Sequence, residues 1–443
     1  MAKDTPHTYR HLVIYEIYTR NHGPNGTFAD VEADLPRIRS MGVDVVWFMP
    51  IHPIGSVQRK GSLGSPYAVS DYTQINPEYG SKADFARLVK TAHSLGLKVM
   101  IDVVYNHTAV DSVLVREYPH WFHQDEQGRP FTTVPEWSDV IDLKYGDAAL
   151  NAYLIDALKG WVALGVDGFR CDVASIVPLE FWKQARREIA AVKGDVIWLA
   201  ESVHLSFIEG RRRAGLSGHA DAEIYEAFDL TYDYDIWSGW EAAVAGILPV
   251  SDYLQTLRLQ DAIYPVHFVK MRCVENHDQP RIAARVPDRA RNQAWTAFAA
   301  FNKGPFLIYG GQESENRHTP SLFEQDKVEW GEYALQPFLT KLAQLKKDPV
   351  MTTGQFTLLA GEPAILACWQ TTTGGLLGVF NVSGRGGQLA LPLSDGVYED
   401  VLHGRVVTVS RGEAEMPASA AILRYHSPIE TPLVYAPLLD YRS

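Results

Sequence analysis

SKADFARLVKTAHSLGLKVMIDVVY, residues 81–105, contains one full period of the pattern that decides the fold. Phe85, Leu88, Val89 and Ala92 fall at i, i+3, i+4 and i+7, which puts them on one face of a helix. Ser81 and Asp84 are spaced for a capping box at its start, and Gly96 is placed to stop it. The run that follows, Lys98-Val-Met-Ile-Asp-Val-Val-Tyr105, is apolar on both faces, as strands of a parallel sheet are when helices cover both sides.

The same alternation extends in both directions. Strand-like runs stand at Leu12–Tyr18, Val43–Pro50, Gly165–Val173, Val196–Glu201, Ala222–Phe228, His267–Glu275 and Pro305–Tyr309, so the chain reads as eight strands with helices between them. Eight β/α steps close a barrel; an open doubly wound sheet is the alternative with the same alternation. The expected fold class is α/β, a (β/α)8 TIM barrel over residues 1–107 and 146–351. A short excursion after strand three occupies 108–145, where prolines and aromatics replace the helical period. From 352 to 426 short β-rich pieces with Gly-rich turns predict a C-terminal antiparallel β-sandwich, and 427–443 reads as a tail.

Composition narrows the function classes. Of 443 residues, 46% are hydrophobic and 21% charged, enough for a large core, and the formal charge of -12 argues against a nucleic-acid partner, which requires a basic stripe. No apolar run approaches the ~20 residues that span a bilayer, so no membrane partner is expected. The start, Met-Ala-Lys-Asp-Thr-Pro-His, lacks an apolar leader region, and three cysteines suit a reducing compartment; the expected location is cytoplasmic.

Barrel enzymes carry their chemistry at the C-terminal ends of the strands. Here those ends read Asp102-Val-Val-Tyr-Asn-His107, Arg170-Cys-Asp172, Glu201-Ser and Glu275-Asn-His-Asp278. Buried charges cost several kcal/mol unless paired, so acids, histidines and an arginine converging on one rim point to a reaction centre. Several carboxyls together suit glycoside cleavage, in which one donates a proton to the leaving oxygen and another meets an oxocarbenium-like centre. Arg170, two residues before Asp172 on an extended strand, is expected to hold Asp172 ionised and lower its pKa. Glu201 has no basic neighbour in sequence, so burial is expected to keep it protonated. Glu275 reads equally well as an ion-pair partner, Gly310-Gly-Gln-Glu313 as scaffold, and Trp121 and Trp137 as packing for the excursion.

Taken in order, Asp102–His107, Gly168-Phe-Arg-Cys-Asp-Val-Ala174, Glu201 and Val274-Glu-Asn-His-Asp278 resemble the four signature blocks of the α-amylase superfamily, glycoside hydrolase family 13, and the resemblance spans the barrel. It implies that Asp172 forms a covalent glycosyl intermediate, Glu201 is acid and base, and Asp278 grips sugar hydroxyls and stabilises the transition state. His107, Arg170 and His277 would complete the cleavage subsite, and Tyr67 matches a tyrosine whose ring stacks under the sugar. Asp102 resembles a strand-end partner. The implied activity is retaining hydrolysis of α-1,4-glucosidic bonds, with an α-glucan or maltooligosaccharide as substrate. An α-glucosidase or transglycosylase would share these residues, and a non-catalytic glycan-binding protein would share the fold. No cofactor is required. Asn106 matches a family calcium ligand, but relatives have Lys-His after the nucleophile block where this chain has Asp172-Val-Ala-Ser-Ile-Val-Pro178, so calcium is optional rather than required.

Overall fold

The computed structural model describes residue 2 and residues 4–430; within the tail, residues 431–443 therefore lie outside the described residues. Eight strands form the barrel: β1 Val13–Ile17, β2 Val45–Phe48, β3 Lys98–Val103, β4 Gly168–Cys171, β5 Ile197–Ala200, β6 Leu230–Tyr232, β7 Lys270–Met271 and β8 Phe306–Tyr309. They pair in parallel in the order β8-β1-β2-β3-β4-β5-β6-β7. The ring closes where Arg272 N donates to Pro305 O (2.8 Å) and Leu307 N to Arg272 O (2.9 Å). Every residue of β1, β2, β4, β5 and β8 is buried, as a strand covered on both faces requires.

Local signals were obeyed in detail between β2 and β3. The helix is Lys82–Ser94, Ser81 and Asp84 form the capping box, Gly96 follows at φ 75°, and the buried face is Phe85, Leu88, Val89 and Ala92. Strand six is a correction. Ala222–Phe228 is not extended: Glu223 accepts from the Ala220 N–H (2.8 Å), a helical turn forms at Asp221–Ile224, and the strand begins only at Leu230. An acid placed to cap the backbone three residues upstream outweighed an apolar run too short to establish a period. Strand seven is likewise shorter than its run, because Cys273–Glu275 already belongs to the rim.

The excursion is organised by a two-stranded antiparallel ribbon, His107–Ala109 with Val140–Asp142. Trp121 stacks on Tyr118 at 4.0 Å and donates to Asp147 Oδ2 (3.0 Å), packing the excursion as expected. The C-terminal region is a six-stranded antiparallel sheet with a two-stranded ribbon, Gly387–Ala390 and Glu413–Met416, on one face. Period-two alternation sorts its side chains. Ile365, Ala367, Trp369, Leu376, Phe380, Ala420 and Ile422 join the barrel core, while Cys368, Leu377, Val379, Ala421 and Leu423 pack with Leu391, Ala414 and Met416 on the ribbon side. The first residues of the tail are tied to this sheet, Gln370 exchanging hydrogen bonds with Ile429 N (2.9 Å) and O (3.2 Å).

Candidate active site

Arg170 is the centre of the rim. Positions 170 and 172 share a face of β4 and its extension, so both side chains turn into the barrel mouth. Fully buried, the Arg170 guanidinium donates from Nη1 to both oxygens of Asp102 (2.9 Å each) and to Asp172 Oδ1 (2.9 Å), and from Nε to Tyr232 Oη (3.1 Å). Nη2 lies 2.9 Å from Glu201 Oε2, at an angle that makes the contact an ion pair and not a hydrogen bond. The rings of Trp47, Tyr67 and Tyr232 surround the cation with centroids 5.3–5.6 Å away.

One arginine thus faces three buried carboxyls, which corrects the expectation for Asp172 and adds a partner to Glu201. Burial pushes Asp172 up to about 7, and the neighbouring Asp102 adds to that push, so Arg170 does not succeed in lowering it. Glu201 does have a basic partner, Arg170, brought from the adjacent strand; burial still raises it to about 7, with Asp172 and Asp278 contributing. Asp102 rises to about 6 from burial. A single positive charge cannot hold three desolvated carboxylates ionised, so the cluster keeps a proton near neutrality and titrates as a unit.

Glu201 is aimed by an unusual backbone. Val173 sits in the left-handed region at φ 37°, ψ 42°, and its N–H donates to Glu201 Oε2 (2.7 Å). A β-branched residue there is strained by about 1–3 kcal/mol, and such strain persists where surrounding structure fixes it. Around the opposite wall, Tyr67 Oη meets His277 Nε2 (2.6 Å) and Asp102 Oδ2 (3.1 Å), and the Tyr67 and His277 rings stack at 5.5 Å. Burial opposes a charge on His277, but Asp278, 3.2 Å from Nε2, and Glu16, in contact with Nδ1, outweigh it and push the imidazole up to about 9. Asp278 is the most exposed of the acids, and its N–H donates to Asn276 Oδ1 (3.0 Å). His107 Nε2 lies 3.9 Å from Asp172 Oδ2, and burial lowers its pKa.

Asp172, Glu201, Asp278, Tyr67, His107 and His277 all line one cavity of about 200 Å3, and Arg170 lies beneath it. Sequence reasoning missed further lining: Lys60, Trp137, Asp139, Val173, Leu322 and Phe323. Trp137, expected to pack the excursion, also turns toward His107 at 5.3 Å. Glu16 was missed although it had a signal, a charge in the middle of the β1 run that burial obliges to find a partner. Glu275 is engaged by Arg281 Nη1 (2.7 Å) and Ile282 N (2.7 Å), and Glu313 by Tyr15, Arg37 and the Gly311 N–H, so both act as scaffold.

The residues around Asn106 do not make a calcium set. Asn106 Nδ2 turns to His107 Nδ1 (3.2 Å), and Asp142 commits Oδ2 to Thr133, leaving Oδ1 as one buried oxygen with no partner among the described residues. Arg211 Nη1 donates to the same Thr133 hydroxyl (2.6 Å), so a cation already stands there. Calcium takes 6–8 oxygens. EDTA treatment is therefore expected to leave both melting temperature and initial rate unchanged. A calcium-specific recovery of several degrees would mean that a micromolar site, worth ~4 kcal/mol in millimolar calcium, exists.

Comparison with known proteins adds kinship to this geometry. The family model for the α-amylase catalytic domain matches residues 16–136 and 115–350, and that for the bacterial α-amylase C-terminal domain matches 356–423. An α-amylase from Lactobacillus plantarum is similar in structure, with a TM-score of 0.91 and 40% identity over 95% of this chain and 100% of that one. A noncanonic maltogenic α-amylase from Thermotoga neapolitana has a TM-score of 0.83 and 34% identity, over 95% and 100%. An α-1,4-glucan:maltose-1-phosphate maltosyltransferase from Cereibacter sphaeroides is 31% identical over 333 residues, 68% of this chain; the chain spans about half (51%) of that relative's length.

Proposed function

Because the chain belongs to the α-amylase family, with a (β/α)8 catalytic barrel and the bacterial C-terminal domain, we propose that it cleaves α-1,4-glucosidic bonds in starch-type glucans or maltooligosaccharides with retention of configuration. The observation that carries this reading is the sharing of Arg170 by Asp102, Asp172 and Glu201 directly under an open cavity. Such a cluster supplies both forms that double displacement requires, one ionised carboxylate and one protonated carboxyl.

In this scheme the Glu201 carboxyl gives its proton to the glycosidic oxygen as the C1–O bond breaks, and an Asp172 oxygen bonds to C1. Water then attacks C1, Glu201 takes the proton from it, and the C1–Asp172 bond breaks. Asp278 and the charged His277 hold sugar hydroxyls, His107 lies beside the nucleophile, and the Tyr67 ring forms the floor. The barrel supplies all the reacting groups, and the excursion at 108–145 adds Trp137 and Asp139 to the cavity wall. The C-terminal residues 352–426 add none.

Transfer to a sugar acceptor is the second reading. It is favoured by the maltosyltransferase relative and by an apolar cluster of Val173, Ile176, Ile208, Val203, Phe207 and Trp137 beside Glu201, where an acceptor sugar competes well against water. No helix among the described residues is long and apolar enough to cross a membrane, and all three cysteines are unpaired, which supports a reducing compartment. The test is proton NMR of maltoheptaose during early turnover, with separation of products. An α-anomer is expected first. A β-anomer would exclude double displacement, and products longer than the substrate would favour transfer.

A further inference from the structure

Four residues of the cavity lining come from two loops, Lys60 and Ser65 from the segment after β2 and Leu322 and Phe323 from the segment after β8. These two segments are not neighbours on the barrel, since β1 lies between their strands. They nevertheless meet: Leu63 N donates to Phe323 O (3.0 Å), and Ser62 N donates to Glu324 Oε1 (2.8 Å). Beneath them the buried Arg20, one turn beyond β1, donates to Gly64 O (3.0 Å), Leu63 O (3.2 Å) and Leu322 O (3.2 Å), fastening both segments with one guanidinium. Gly61, at φ 63°, marks how close they come, because a Cβ there would stand 2.6 Å from both Phe323 Cβ and Glu324 Oε1. On the other flank Lys60 Nζ pairs with Asp139 Oδ1 (2.9 Å) and donates to Glu136 O (3.1 Å), joining the same wall to the excursion.

Which end of the sugar meets this wall follows from the proton path. Glu201 protonates the oxygen that leaves C1, so the departing part of the chain lies beyond Glu201. The retained sugar then lies on the opposite side, over Tyr67 and His277, and Tyr67 is two residues from Ser65 in the wall. We infer that the junction of residues 60–65 with 321–324, clamped by Arg20, blocks the donor side of the cleft, so that the enzyme takes α-glucans by their non-reducing ends. This rests on the glycosidase reading above and adds the substrate class: chain ends and short oligosaccharides, not the interior of a polymer. Cleavage should give one dominant short product from the earliest times, where an open cleft gives a spread of lengths.

The test uses two p-nitrophenyl maltoheptaosides that differ only at the non-reducing glucose, one with free hydroxyls and one with O4 and O6 bridged by an ethylidene group. The full chain is expected to cleave the free heptaoside with kcat/KM about 100-fold above that for the capped one, since the cap must enter space the wall fills. Equal efficiencies, or a spread of products from the capped heptaoside, would overturn the closed end while leaving the glycosidase reading intact. No turnover of either substrate would instead remove the glycosidase reading itself. Gly61→Val, which drives a Cβ into Phe323 and Glu324, is expected to raise the capped-to-free ratio by about 10-fold. Glu324→Ala, which frees Ser62 without adding bulk, should move the ratio the same way; a ratio unchanged in both folded variants would count against the wall.

Discussion

Asp172→Asn is expected to lower kcat on maltoheptaose by ~10⁴-fold or more, the scale of losing a central catalytic group, and at the same time to raise the melting temperature at pH 8. The first effect follows from removing the oxygen that bonds to C1. The second follows from the titration of the cluster. Folding raises Asp172, Glu201 and Asp102, burial being the main cause in each, to about 7, 7 and 6 from ordinary carboxyl values of 3.8, 4.5 and 3.8. The native state therefore holds these protons more tightly than the unfolded chain does. Their favourable contribution is fully present below about pH 4 and is lost as pH rises through about 7. An amide at 172 never ionises, so the variant avoids that loss: its melting advantage should be clear at pH 8 and vanish toward pH 4. A variant retaining more than about a hundredth of the parental kcat would exclude Asp172 as nucleophile. A large melting decrease at pH 8 would mean that the carboxylate stabilises the fold instead.

Arg170→Met should be the most destabilising single change at the site. It leaves Asp102, Asp172 and Glu201 buried around an apolar side chain, and stripping the cation from a buried ion pair costs about 3–5 kcal/mol. Urea unfolding at pH 7 measures the deficit. The deficit should shrink as pH falls, because the three carboxyls become neutral and need no counter-charge. Arg170→Lys is not expected to rescue it: the arginine reaches Asp102 and Asp172 from Nη1, Glu201 from Nη2 and Tyr232 from Nε, a spread that one ammonium on a flexible stem cannot span. A deficit below about 1 kcal/mol at pH 7, the scale of a surface ion pair, would sink the account of Arg170 as the electrostatic keystone.

Much of this site was readable because it is local. The helix Lys82–Ser94 carries its caps and apolar face within a few residues, and the rim acids sit at the ends of runs that the barrel aligns automatically. What escaped depends on contacts between distant segments. Nothing near Glu201 in the chain announces Arg170, which arrives from the neighbouring strand, and the same holds for Glu16 beside His277. Leu322 and Phe323 look like any loop hydrophobics until the segment after β8 is laid against the segment after β2. The pKa of Asp172 is not legible in sequence for a related reason: the adjacent arginine is visible there, but desolvation and the like charge of Asp102 belong to the folded cluster.

The C-terminal sheet, with one face in the barrel core, bears on how such a chain can change over generations. Phe380 packs against Phe298 and Phe301 at 5.4 Å each, and Trp369 Nε1 donates to Phe301 O (2.7 Å), so the helix Arg289–Phe301 of the barrel packs directly against the sheet. Substitutions at residues in direct contact do not add independently. A sheet recombined in from another lineage would meet rings shaped for a different partner, whereas loops on the far rim share none of these contacts. Heritable variation in this chain is thus channelled into two blocks: the rim segments joined through Arg20, Gly61 and Lys60 are held to change with one another, and the helix and the sheet that packs on it to change together, with each block independent of the other.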